Sequence, residues 1–147
     1  MDKIKLENFA REYPGKSFPD YRSVSAIEAE QTKLRISMQM DFPPSASSLE
    51  LVRLVREQST VLSNVNAESD DFNLKSVIFR AGIMPKEEIY INWHRFDEID
   101  RMRLEDLSGY FEDIWYPSAD DIDLFDDSLS WIFSISYSGN ISYLRFK

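Results

Sequence analysis

The single imidazole of the chain, His94, sits in Asn92-Trp93-His94-Arg95-Phe96. A Ser/His/Asp hydrolase would have to use it as its base, but no G-x-S-x-G turn accompanies it to expose a nucleophilic serine. It alternates away from Trp93 at the end of an apolar run and reads as a structural histidine. With one His and no Cys, histidine-rich or thiolate zinc sites, thiol nucleophiles, disulfides and CxxC redox chemistry are excluded.

The run Asp120-Asp121-Ile122-Asp123-Leu124-Phe125-Asp126-Asp127 is the next place to look for chemistry, because hard cations take several carboxylate oxygens from one short loop. An EF-hand needs a turn-forming Gly at its sixth position and a bidentate Glu at its twelfth. Counted from Asp121 these are Asp126 and Ile132, and counted from Asp123 they are Ser128 and Ser134, so both registers fail. The run is expected to be a turn with capping aspartates. Asp20 followed by Gln31 and Lys33 loosely matches a magnesium-dependent nuclease arrangement, but the second ligand position carries no charge. Gly15, Gly82, Gly109 and Gly139 are too dispersed to cradle phosphate. Glu105, Asp106, Glu112 and Asp113 offer paired carboxylates for acid/base work, and are read more simply as the wet face of a helix. No metal and no cofactor is expected.

Charge gives a more definite signal. Residues 97–127 hold twelve acidic residues against Arg101 and Arg103, a formal −10, while the whole chain carries −9. Such a stretch repels nucleic acid and lipid headgroups and steers cationic proteins toward itself. The expected partner is therefore a protein with a basic surface, with no nucleic acid and no membrane. The candidate partner-binding residues are Glu112, Asp113, Asp120, Asp121, Asp123 and Asp126, with Trp115 and Tyr116 as aromatic anchors. Replacing Asp120, Asp121 and Asp123 together by Asn is expected to leave stability nearly unchanged, as for exposed like charges.

The elements that must position these residues follow from periodicity. Ile4, Leu6, Phe9 and Tyr13 make a helical stripe stopped by Pro14-Gly15. Ser25-Ala26-Ile27-Glu28 has capping-box form and predicts a short helix to about Gln31; Leu34, Ile36, Met38 and Met40 then alternate as in a half-buried strand. A second box, Ser47-Ser48-Leu49-Glu50, opens a helix bearing Leu51, Leu54, Val55 and Leu62 on one face. Residues 63–71 are expected to be loop, and Val77 to Ile83 and Ile89 to Trp93 to be a hairpin. Glu105 to Trp115 should form one amphipathic helix, ended before Pro117. Trp131, Phe133 and Ile135, then Ile141 and Tyr143, alternate about Ser138-Gly139-Asn140 as a closing hairpin. Trp93, Phe111, Trp131, Phe133 and Ile135 are expected in the core.

These patterns predict an α+β fold, a single globular domain over residues 1–147 with about five mostly antiparallel strands and helices packed on one face. The 43% hydrophobic and 14% aromatic content supplies a core for one domain of this length. The amino-terminal residues lack a continuous apolar run of signal-peptide kind, no stretch reaches the roughly 20 apolar residues of a membrane span, and the expected compartment is the cytoplasm.

The segment from Ile89-Tyr90-Ile91-Asn92-Trp93 through Phe111-Glu112-Asp113-Ile114-Trp115-Tyr116-Pro117-Ser118-Ala119-Asp120 to Trp131-Ile132-Phe133-Ser134-Ile135 resembles a pattern in small uncharacterised bacterial proteins, some of which are similar to immunity proteins of polymorphic toxin systems. The resemblance covers the carboxyl-terminal part only. It implies a non-enzymatic, cytoplasmic protein that binds and blocks one toxin domain. The alternatives are a small hydrolase or metal-dependent enzyme using the acidic cluster, and an acidic DNA-mimicking or regulatory adaptor.

Overall fold

The computed structural model describes residues 1–146. Its first helix, α1 (Lys3–Glu12), falls where the stripe predicts, with the Asp2 side chain accepting from the Ile4 amide. A three-residue strand, β1 (Tyr21–Ser23), follows. Helix α2 (Ala26–Gln39) starts at the predicted Ser25 cap, which accepts from the Glu28 amide, but it runs straight through the segment expected to be a strand. The reason is a coincidence of periods. Ile36 and Met40, the buried members of the alternating set, lie four apart and continue the helical face of Ala29 and Thr32, whereas Met38 is 71% exposed.

Helix α3 (Ser48–Gln58) begins at the second predicted cap, Ser47, and buries Leu51, Val52 and Val55. It stops at Ser59, so Leu62 belongs to strand β2 (Thr60–Asn66), which takes up much of the expected loop. The apolar run expected to be a strand at Val77 is instead α4 (Leu74–Arg80). Asn73 caps it by accepting from the Ser76 amide at 3.0 Å, and Leu74, Val77, Ile78 and Ala81 bury one helical face. Strand β3 (Glu88–Asn92) is as predicted. Strand β4 (Ile99–Arg103) was not expected, because its charged residues mask the pattern; it pairs with β1 on one side and β3 on the other.

The long helix expected over 105–115 is broken at Tyr110 into α5 (Leu104–Gly109) and α6 (Phe111–Ile114). The aspartate run read as a capped turn contains strand β5 (Ile122–Phe125), the middle strand of the sheet. Strands β6 (Trp131–Ile135) and β7 (Asn140–Arg145) form the predicted closing hairpin. Its turn requires Gly139: φ is +85°, and a Cβ there would lie 2.1 Å from Asn66 Oδ1.

Among the described residues the seven strands form one fully antiparallel sheet in the order β1-β4-β3-β5-β6-β7-β2, two more strands than expected. Helices cover both faces, not one. On the first, α4, α5 and α6 pack over Ile89, Ile91, Met102, Ile122, Leu124, Trp131, Phe133 and Ile135. On the second, α2 and α3 cover Tyr90, Ile99, Phe125 and Ile132. Burial on both sides explains why β5 and β6 read as continuous buried strands. Of the expected core, Phe111, Trp131, Phe133 and Ile135 are buried, while Trp93 is half-buried at the margin. Helix α1 lies against α6. Among the described residues, no helix is long and apolar enough to cross a membrane.

Candidate functional site

The twelve acidic residues of 97–127 do not make one continuous surface. Period-two alternation along β4 and β5 turns some of them inward, where each becomes a hydrogen-bond acceptor. Asp123 is 1% exposed: one oxygen accepts from Ser134 Oγ at 2.6 Å and lies 3.1 Å from the Arg56 guanidinium, and the other accepts from Asn92 Nδ2 at 3.1 Å. Asn92, Asp123 and Ser134 are register partners on β3, β5 and β6, so this is a polar row crossing the middle of the sheet beneath α3. Asp126 is also 1% exposed, and it accepts from the Lys86 amide, the Ser128 amide and hydroxyl, and Trp131 Nε1. Asp100 accepts from Ser23 Oγ and Trp93 Nε1, and lies 2.5 Å from the Met1 ammonium. Such satisfied interior carboxylates hold the fold together. Asp123 and Asp126 therefore drop out of the candidate partner surface.

The aromatic anchors fare similarly. Trp115 is 2% exposed, stacks on Phe111 and donates from Nε1 to the Asp120 carbonyl, so it is an interior residue. Tyr116 is half-buried under α1: its hydroxyl accepts from Asn8 Nδ2, and Lys5 Nζ stands 3.7 Å above its ring. Asp120 pairs with that same Lys5 and accepts from the Tyr116 amide. Asp121 accepts from the Tyr137 amide. The face where α6 and the segment after it were expected to receive a cationic partner is thus already occupied, by the chain's own first helix and its lysine.

What stays open is the rim where α1 ends beside α6. Glu112 is exposed and Asp113 half-buried there, and the end of α1 adds two residues that the sequence did not single out, Glu12 and the Tyr13 that follows it. Tyr13 donates its hydroxyl to Asp113 Oδ2 at 3.1 Å. Glu12 is raised above the ordinary carboxylate range, first by its hydrogen-bonding contact with Asp113, then by the charge of Asp113, with Glu112 adding to it. Tyr13 is pushed up to about 12, chiefly by loss of solvent and then by the neighbouring Asp113. None of Glu12, Glu112 and Asp113 forms an ion pair among the described residues. The adjoining cleft, about 230 Å³, is lined by Tyr13, Ser69, Phe72, Ser108, Tyr110 and Phe111 along with Glu112 and Asp113. Lys16 Nζ lies 4.9 Å from the Tyr110 ring centre and 5.6 Å from that of Tyr13. These two tyrosine rings thus already take an ammonium of the chain itself near their faces, a contact of cation–π kind.

His94 lies in three consecutive left-handed residues, with φ of 71°, 63° and 60° at His94, Arg95 and Phe96, held in place where Asn92 Oδ1 accepts from the Phe96 amide. Its Nδ1 is buried without a partner. Among the described residues no hydroxyl or carboxylate meets it, and no group of three or more His, Asp or Glu is arranged to hold a metal ion.

The signal for Glu12 and Tyr13 was not local. They meet Asp113 across about a hundred residues of chain, and only the docking of α1 on α6 brings them together. Compared with known protein families, with curated proteins and with solved structures, the chain has no match.

Proposed function

We propose that the chain is a non-enzymatic protein-binding module, an inhibitor of the immunity type, that engages the basic surface of a bacterial toxin domain through the rim between α1 and α6. The observation that carries this reading is the docking of the end of α1 on α6, where Tyr13 donates to Asp113 at 3.1 Å and Glu12, Glu112 and Asp113 share one rim with no ion-pair partner among the described residues; the raised Glu12 carboxyl agrees with it. Like charges held together on a surface are a cost to the free protein. A cation that neutralises them removes that cost, so binding is favoured by the repulsion it relieves. Tyr13, Tyr110 and Phe72 supply apolar faces beside the carboxylates for the stem of an Arg or Lys.

The size of the cleft supports a protein partner over a small substrate. At about 230 Å³ it falls below the roughly 300–1,000 Å³ of small-molecule sites, and it suits one or two inserted side chains. A nuclease toxin must hold phosphates and so presents cationic side chains of this kind.

The test is co-purification from the native organism with tagged wild-type protein and with the Glu12→Gln/Asp113→Asn pair. The wild type should retain a basic protein at low salt and release it as salt rises through about 0.15 M, where the screening length is about 8 Å. The double variant should retain much less of it while unfolding at the same temperature or higher. Equal retention by both proteins, or capture indifferent to salt, would remove this reading.

A further inference from the structure

The two edges of the sheet are built differently. Strand β1 has three residues, and its Arg22 is held by Glu28 at 3.2 Å, a short charged edge of the kind that discourages pairing. Strand β2, at the opposite end, has seven residues, Thr-Val-Leu-Ser-Asn-Val-Asn, with no charge and no proline. It pairs only with β7, and among the described residues the backbone of 60–65 makes no hydrogen bond outside that ladder. Val61 is 67% exposed on it, on the same sheet face as the half-buried Leu144 of the neighbouring strand. Only the irregularity between Leu62 and Asn66, with Asn64 at φ 65°, limits how far another strand could follow it.

We infer that β2 is the pairing edge of a homodimer, in which two copies join β2 to β2 antiparallel about a twofold axis and the two sheets become one. Three features favour a second copy as the occupant. A strand paired antiparallel with itself about a twofold axis is complementary by construction, each donor row meeting the identical acceptor row. The sheet is antiparallel throughout, so the added strand continues its pattern. The seam also carries no charge, so two chains of net charge −9 meet where neither brings a carboxylate, whereas nothing on β2 would select a cationic partner. The straight part of the strand, Thr60–Leu62, is short, so the dimer is a weak one.

This proposal is independent of the toxin-binding reading, and salt separates them with opposite signs. Screening weakens attraction to a basic partner, but it relieves repulsion between two acidic copies and strengthens the dimer. Sedimentation equilibrium of the full chain, from about 10 μM to about 1 mM and from about 0.05 to about 0.5 M NaCl, should show a monomer–dimer equilibrium that tightens with salt. Val61→Lys and, separately, Ser63→Lys should each weaken it at least about tenfold. Both residues are exposed, so each variant should unfold as the wild type does under dilute conditions. Amide exchange at Val61 and Ser63 should slow at the high concentration in the wild type only. A single monomeric species up to about 1 mM at both salt levels would overturn the proposal, as would a dimer that both lysine variants leave intact.

Discussion

Lys5 Nζ lies 2.5 Å from Asp120 Oδ2 and 3.7 Å above the centre of the Tyr116 ring, so α1 is bolted to the chain by a carboxylate 115 residues away. The lysine is 3% exposed and Asp120 16%, which places the pair where removing one member strands the other. Breaking a buried pair in this way typically costs about 3–5 kcal/mol, far more than the pair's net worth. Lys5→Ala should therefore destabilise the protein by about 3 kcal/mol in urea unfolding. Asp120→Asn should do nearly as much, whereas Lys3→Ala, whose side chain is 86% exposed, should change little.

Glu12 gives a pH signature of opposite character. Its carboxyl is raised in the folded protein, so the fold binds a proton more tightly there than the unfolded chain does, and stability falls as pH rises through the ordinary carboxylate value of 4.5 and on through the raised one. Above that window both states are ionised and the repulsion from Asp113 and Glu112 is fully present. Glu12→Gln should accordingly be more stable than the wild type at pH 7. The advantage should vanish on acidification below the ordinary value, where Glu12 is protonated in both states. Chemical unfolding of the two proteins at several pH values measures this; a constant difference across the range would show that Glu12 does not sense its neighbours.

Phe133 is fully buried at the centre of β6, among the residues over which α4, α5 and α6 pack. Phe133→Ala should cost about 3–5 kcal/mol, with the spread set by how far the surrounding side chains close the cavity. Phe79→Ala, at a side chain 48% exposed, is the control and should cost much less.

How much of this could be read in advance depended on whether the signal was local. The caps at Ser25 and Ser47 and the closing hairpin are local, and they appear where the sequence places them. Helix α4 cannot be told from a strand in the sequence because its apolar run satisfies both periods over so short a length and the cap that decides between them is one asparagine. Strands β4 and β5 were invisible for a deeper reason. A charged residue on a strand is ordinarily a wet one, and only a distant partner can make it an interior one: Asp100 needs Ser23, and Asp123 needs Arg56 and Ser134. The candidate site was legible only at Glu112 and Asp113; Glu12 and Tyr13 join it through packing that no window of sequence contains.

The aspartate run itself provides the sharpest test of that account, because Asp121 and Asp123 are two residues apart in sequence and differ entirely in surroundings. Asp121 is half-buried and accepts one bond from the Tyr137 amide, which the oxygen of an asparagine can still accept. Asp123 is closed in by α3 and meets Arg56, Ser134 and Asn92. Replacing its carboxylate by an amide removes the counter-charge of Arg56 and turns one acceptor into a donor facing groups that themselves donate. Asp121→Asn should therefore change stability by less than about 1 kcal/mol. Asp123→Asn should cost about 3 kcal/mol, softened only because the Arg56 side chain, 27% exposed, can turn partly toward water. The triple replacement of Asp120, Asp121 and Asp123, expected from the sequence to be nearly neutral, should on the same grounds be severely destabilising. Urea unfolding of the single variants decides the matter: an Asp123→Asn protein as stable as Asp121→Asn would mean that β5 does not run through the middle of the sheet.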